Sequence, residues 1–520
     1  NPMFFGEILQ DLDFVTSSEI AEAIAMQNGL EYVDLSTVTP TQEALRLVPY
    51  EVAKSKNILP LSVEDDVLVV AMQDINDIMT IDYLRKISQK SVKLVVADEV
   101  SIARYGEIYY YQMSNPIETE ITQIIKQSLE NKEVDIPHLV DLIVNDAIKD
   151  GVTDIHITPE RSAVHIFYRI DGVLKHYFAL PAKLHAQIVA RIKITCNLDI
   201  SEIRKPQDGS FSHSFLNEDF DLRVSTLPTK HGENIVMRLL GKGASLFSLS
   251  HLGMTEANSK RIEHYFSKPY GIVLIVGPTG SGKTTTLYSA LRKVNSLEKN
   301  VMTIEDPIEY KFTFIKQTQL HEKAGYTFDA AIRAFMRQDP DVMLVGEIRD
   351  QQTAELAVRA SITGHLVLST LHTNDAIGTI PRLVDLNIPP YLIGSGLLGV
   401  IAQRLVRKLC NYCKKEVQMS EQALQDAGVP QEIIEEYPNY TIYEAVGCEY
   451  CKKTGYSGRE AVVEILDVDK EIESLITQGV SSLELLKVAK SKGMHTLKED
   501  GYIKVLRGVT SFAEVDRVID

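Results

Sequence analysis

The apolar run Gly271-Ile272-Val273-Leu274-Ile275-Val276 leads directly into Gly277-Pro278-Thr279-Gly280-Ser281-Gly282-Lys283-Thr284. A short, wholly apolar run predicts a strand buried on both faces, the habit of parallel sheets sandwiched between helices. The loop after it matches G-x-x-x-x-G-K-[ST] and must open a helix to serve as a phosphate cradle. The same alternation recurs over residues 254–400. Predicted strands are Gly271–Gly277, Val301–Glu305, Val342–Gly346 and His365–Thr370; predicted helices are Lys283–Val294, Phe328–Met336 and Gln351–Ile362. This is the signature of an α/β fold. Backbone N–H groups of the loop and the helix N-terminus suit a phosphate. Lys283 is expected to reach the β- and γ-phosphates, and the Thr284 hydroxyl to ligate Mg²⁺. The nucleotide-binding residues expected here are Gly277, Pro278, Thr279, Gly280, Ser281, Gly282, Lys283, Thr284 and Thr285.

Hydrolysis also requires carboxylates for Mg²⁺-bound water and for the attacking water. Two candidates end predicted strands, at the sheet edge where α/β folds place ligands: Glu305 and Glu347. A lone acidic residue there is most often a helix cap. Two of them in a fold with a phosphate loop favour chemistry. His365 and His372 flank the last predicted strand, and spacing leaves His372 open between a polar sensor near the γ-phosphate and a helix cap.

The remaining chain length allows further domains. At ~150 residues each, 520 residues suggest three or four. Residues 1–111 read as one small domain, with Ile58–Val63 and Val67–Met72 as a hairpin. Residues 112–137 are polar and acidic and read as a linker containing a helix. Residues 138–240 read as an α+β domain with antiparallel strands, followed by a hinge at 241–253 containing Gly241–Ser245. The α/β core spans 254–400, a cysteine subdomain 401–460 and a helical region 461–520. Cys410/Cys413 and Cys448/Cys451 form two Cys-x-x-Cys knuckles, the ligand set of structural zinc; Cys196, on a helical pattern, reads as a core thiol. No apolar run approaches the ~20 residues of a membrane helix, and no signal peptide is evident, so a cytoplasmic location is expected.

Four stretches resemble the signature boxes of one family. They are Gly277–Thr284; Thr303-Ile304-Glu305-Asp306-Pro307-Ile308-Glu309; Arg337-Gln338-Asp339-Pro340-Asp341 with Gly346-Glu347-Ile348-Arg349-Asp350; and Thr363-Gly364-His365 with Ser369-Thr370-Leu371-His372-Thr373-Asn374. They are similar, in this order, to the Walker A, aspartate, Walker B and histidine boxes of the ATPases of type II secretion, type IV pilus and competence systems. Tyr168–Gly172, Pro206–Gly209, Leu222–Pro228 and the tetracysteine set are similar to assembly-type members. The resemblance implies a RecA-like P-loop core preceded by a PAS-like α+β domain and a small N-terminal α/β domain, with a zinc-bound subdomain and a helical C-terminus. It also implies a homo-hexameric ring that uses ATP and Mg²⁺ to drive assembly of a pilin-like filament through an inner-membrane platform protein. Glu347 then polarises water, Glu305 contributes from the aspartate box, and His372 lies near the γ-phosphate. Arg223 and Arg238 close over the phosphates, and Arg382 reaches a neighbour's nucleotide. Gly6, Leu9, Ile20, Ile24 and Gln27 fit the spacing of a repeat that binds cyclic di-GMP in some members. Phe4 stands where that repeat has arginine, and Asp13 replaces its second glycine. These departures favour a docking domain for a cytoplasmic subunit of the machine.

Two other functions compete. A nucleic-acid translocase would want a basic surface. The formal charge is −17, and residues 401–460 carry eight Lys/Arg against nine Asp/Glu, so no direct nucleic-acid contact is expected. An ATP-holding scaffold with little turnover is disfavoured by the intact Lys283, Thr284 and Glu347.

Overall fold

The structure is a computed structural model that describes residues 10, 15–114, 117–130, 132–216, 218–240, 249, 252–294, 296–448 and 450–519. Phe4, Gly6, Leu9 and Asp13 of the N-terminal repeat, and the hinge residues Gly241–Ser245, lie outside the described residues. The chain divides into two compact units, Ser17–Gly243 and Ala244–Asp520, the latter grouped with Asn1–Thr16.

In the unit Ser17–Gly243, β1 (Ile58–Glu64) and β2 (Val67–Met72) form the expected antiparallel hairpin. Its turn residues Asp65 and Asp66 both take positive φ, 45° and 68°, the twist-matched geometry of a two-residue hairpin turn. A third strand, β3 (Ser91–Val96), runs parallel to β2. The stretch read as a linker is helical at Ile117–Leu129. Its Ile121 and Ile124 are buried in the same core as Leu139 and Ile143 of helix Ile136–Lys149, so an i, i+3 apolar pair ties it into the following module.

That module is an antiparallel sheet of β4 (Asp154–Pro159), β5 (Ala163–Ile170), β6 (Val173–Pro181), β7 (Gln207–Phe215), β8 (Glu218–Thr229) and β9 (Gly232–Leu240). The strand order is β6-β5-β4-β9-β8-β7. Alternate residues such as Ile155, Ile166, Tyr168, Val224 and Met237 point into one core with helices Ile136–Lys149 and His185–Thr195. Cys196 caps the second helix and is buried there, as a core thiol.

The other unit is built on seven strands: β10 (Gly271–Val276), β11 (Val301–Glu305), β12 (Lys316–Gln319), β13 (Val342–Val345), β14 (Leu366–Leu371), β15 (Leu397–Leu409) and β18 (Tyr456–Asp467). Their order is β12-β11-β13-β14-β10-β15-β18, and all pairs are parallel except β15 with β18. The central strands β10, β11, β13 and β14 are buried along their whole length, as the apolar runs require. β15 and β18 carry the sheet past the boundary expected at residue 400. Val400, Ala402 and Val406 pack into one side of it, and Ile401, Ala461, Val463 and Ile465 into the other. The cysteine region is thus an insertion between two strands of the sheet. Its own strands are β16 (Lys415–Val417) and β17 (Ile442–Glu444), paired antiparallel. Helices Lys470–Gln478, Ser482–Ser491, Leu497–Leu506 and Phe512–Ile519 complete the chain. Among the described residues no helix is long and apolar enough to cross a membrane.

Candidate active site and metal centre

The phosphate loop leaves β10 at the carboxyl edge of the sheet and enters helix Lys283–Lys293. Pro278, Thr279 and Gly280 are exposed at its tip, and Thr284 and Thr285 are half-buried in the first helical turn. Gln403 of β15 braces the loop. Its Nε2 donates to Ser281 O at 2.9 Å, and its Oε1 accepts from Thr286 Oγ1 at 2.7 Å. The approach dictates a glycine: a Cβ on Gly277 would sit 2.5 Å from Gln403 O, and the residue takes φ +148°. The Lys283 ammonium donates to Gly277 O at 2.8 Å and Pro278 O at 2.9 Å, folded back over the loop. Burial pulls Lys283 down to about 8; Glu347 acts upward and Arg404 downward. The Ser281 hydroxyl is buried and has no hydrogen-bond partner among the described residues. A buried orphan donor beside a lysine and a helix N-terminus fits a phosphate.

Strands β13 and β14 end side by side, with Val345 opposite Ser369 and Ile348 N donating to Thr370 O at 3.0 Å. That register brings Glu347 and His372 together: Glu347 Oε2 lies 3.3 Å from His372 Nε2. The Arg349 guanidinium contacts Glu347 Oε1 and lies 3.4 Å from Asp306 Oδ2. His365 sits at the opposite, amino-terminal end of β14, where its Nδ1 lies 3.0 Å from Ala360 O. It is not part of this cluster.

Glu305 is not brought to the cluster either. As the last residue of β11 it points inward and is buried. Its Oε2 accepts from Tyr288 Oη at 2.5 Å, and its Oε1 from Thr303 Oγ1 at 2.5 Å and Gln317 Nε2 at 3.1 Å. Strand alternation turns Glu305 inward, and the next residue, Asp306, meets Arg349. Arg382 is exposed on helix Thr379–Asp385. Arg223 and Arg238 belong to the other unit, where they are cross-strand neighbours on β8 and β9. Arg238 Nε donates to the buried Asp154 Oδ1 at 2.8 Å.

Sequence reasoning missed Gln403 and Arg404. Their signal is two polar residues inside the otherwise apolar run Leu397–Val406, where a buried polar side chain needs a reason. It also missed Glu464, a buried carboxylate on β18. Glu464 accepts from Ala376 N at 2.7 Å and Leu497 N at 3.1 Å, joining the loop after His372 to a C-terminal helix.

The four cysteines converge, with all Sγ atoms within 4.8 Å of one another. Cys410–Cys448 is 3.9 Å, while Cys413–Cys451 and Cys448–Cys451 are each 3.8 Å. Zn–S bonds of about 2.3 Å in a tetrahedron place sulfurs about 3.8 Å apart, so this set fits zinc. Backbone N–H groups of Gly447, Cys448 and Gly455 point at Cys413 and Cys451 sulfur, at 3.3, 3.2 and 3.1 Å. Such donors favour thiolates, the ligand form of cysteine.

A phosphate loop on a parallel sheet, with a glutamate and a histidine paired at the same edge, defines a P-loop ATPase. The chain belongs to the family of type II/IV secretion system proteins, whose model matches residues 129–517. A second model, the MshEN domain, matches residues 28–133. The chain is 40% identical over 526 residues to the type IV pilus assembly ATPase PilB of Myxococcus xanthus, covering 98% of this chain and 92% of that one. It is 45% identical over 383 residues to the type II secretion system protein E of Dickeya dadantii, covering 74% and 75%. The X-ray structure of the Yersinia pseudotuberculosis ATPase DotB superposes with a TM-score of 0.54 at 19% identity, over 74% of this chain and 94% of that one; this likeness shows the fold alone.

Proposed function

We propose that this protein is a homo-hexameric motor that hydrolyses ATP to drive assembly of a pilin-like filament. The observation that carries the reading is the juxtaposition of Glu347, His372 and Arg349 beside an intact phosphate loop. Lys283 and the loop N–H groups bind the phosphates. The Thr284 hydroxyl holds Mg²⁺, which when bound supplies positive charge to the β- and γ-phosphoryl oxygens. Glu347 polarises the attacking water, and His372 orients Glu347. Glu305 acts indirectly, by holding Tyr288 on the helix that follows the loop. Arg223, Arg238 and Arg382 are the further cations of this reading, supplying positive charge to the phosphates. Cys410, Cys413, Cys448 and Cys451 hold a structural zinc.

The partners in this reading are an inner-membrane platform protein and a cytoplasmic subunit docked by the N-terminal domain, with the motor at the cytoplasmic face of the membrane. Pilus extension is favoured among the machines because the pilus assembly relative matches nearly the full chain. Cyclic di-GMP is the ligand to test at the MshEN-matched region, residues 28–133, while Phe4 and Asp13, which precede it, favour docking as the role of the N-terminal repeat. The function is tested by adding the purified platform protein in bilayer discs to the full chain. Stimulated ATP turnover, lost on omitting the platform, supports it. Turnover indifferent to the platform and stimulated by DNA contradicts it.

A further inference from the structure

Arg404 lies on β15, two residues past Ala402, which pairs with Val276 at the end of β10. Arg404 therefore sits beyond the last pairing with β10, on the side from which the phosphate loop springs, while still paired with Val462 of β18. The preceding residue, Gln403, is packed against that loop through its backbone oxygen and its side chain. One end of the guanidinium is anchored: Nη2 donates to Asn374 O, in the loop after His372, at 3.2 Å. The other end, Nη1, is shut off from solvent and has no hydrogen-bond partner among the described residues.

Asp375 and Glu464 are close enough to favour this charge, but neither pairs with the guanidinium directly. Asp375 accepts from Gly378 N at 2.5 Å, and Glu464 is taken by two backbone N–H groups. Glu347 is engaged by Arg349 and His372. Lys283 and Arg404 thus bring two cations to one edge, and Arg404 makes no ion pair among the described residues. A buried guanidinium N–H left without an acceptor is costly, and a phosphate oxygen is an acceptor suited to Nη1.

We propose that Arg404 is a second phosphate-contacting cation of this site, which reads the terminal phosphate and reports it to the histidine-bearing loop through Asn374. The proposal rests on the reading of the loop as an ATP site. It goes beyond it by naming how ATP is told from ADP and by which loop.

The test uses the full chain with Arg404→Gln and Arg404→Lys, a fluorescent non-hydrolysable ATP analogue, and fluorescent ADP. Arg404→Gln is expected to weaken the triphosphate about tenfold or more and the diphosphate much less, the cost of one charge-assisted phosphate contact. Arg404→Lys is expected to recover part of the triphosphate affinity. Thermal melting without nucleotide is expected to stay at the wild-type value or rise. Equal losses for both nucleotides with lowered melting would show a purely structural residue and overturn the proposal. So would unchanged triphosphate affinity in Arg404→Gln. Wild-type protein that binds neither nucleotide would overturn the ATP reading itself.

Discussion

His372 Nε2 lies 3.3 Å from Glu347 Oε2, and this contact joins the ends of two neighbouring parallel strands. Residues 25 positions apart meet because β13 and β14 terminate in register at the carboxyl edge. With Arg349 on its other oxygen, Glu347 is held from both sides. A carboxylate so held presents a fixed direction to water, the pre-organisation that hydrolysis needs. On the proposed reading, in which the histidine orients the base rather than binding nucleotide, His372→Ala is expected to lower kcat roughly ten- to hundredfold with little change in KM. A steady-state kinetic comparison checks this. A raised KM with unchanged kcat contradicts it.

Nucleotide affinity is expected to fall as pH rises above 8. Burial pulls Lys283 down to about 8 in the nucleotide-free protein. A bound phosphate favours the ammonium form and raises its pKa. Below pH 8 the lysine already carries its proton, so affinity is flat. Above it, binding must take up a proton, and affinity falls toward tenfold per pH unit. Calorimetry in buffers of different ionisation enthalpy reads the proton uptake directly. Affinity constant between about pH 7 and pH 9.5 contradicts the assignment of Lys283 to the phosphates.

Glu305→Gln separates a supporting role from a direct one. All three partners of this buried carboxylate donate: Tyr288, Thr303 and Gln317. An amide NH₂ placed among donors leaves one hydrogen bond unmade and one donor facing another, costing about 1–3 kcal/mol. Melting is expected to drop by several degrees while the variant still turns over ATP measurably. A wild-type melting temperature with abolished turnover would instead place Glu305 in the chemistry.

Cys410→Ser is expected to lose zinc and lower the melting temperature. Metal-ligand bonds contribute folding free energy directly, because the unfolded chain has no preformed site. The cysteines sit between β15 and β18, so loosening them loosens the pairing of β18 with β15, the strand that carries Gln403. Mass spectrometry of metal content together with calorimetry checks both parts. Unchanged metal stoichiometry contradicts the site.

The α/β core was legible because buried parallel strands are short apolar runs, and the phosphate loop has one local pattern. Glu347 and His372 were nameable as strand-end groups, yet their contact depends on a register that no local window contains. Glu305 shows the limit of that reasoning: a strand-end carboxylate can turn inward, and only the alternation of β11 decides which of Glu305 and Asp306 faces the edge. Gln403 and Arg404 are hidden because the sequence pattern places the end of the α/β core at residue 400, within β15. The parallel pairing of Leu397–Ala402 with β10 spans more than a hundred residues of sequence and brings them to the phosphate loop. The linker expected over 112–137 contains its helix, Ile117–Leu129, but no local window shows that Ile121 and Ile124 pack into the core of the following module.

The most direct measurement is the Mg²⁺-ATPase rate per subunit against protein concentration, with mass read by light scattering and Glu347→Gln run in parallel. The account predicts a rate that climbs as hexamers form and vanishes in Glu347→Gln, which keeps its affinity for ATP. A rate per subunit that stays flat while the protein remains monomeric, and is matched by Glu347→Gln, would contradict it.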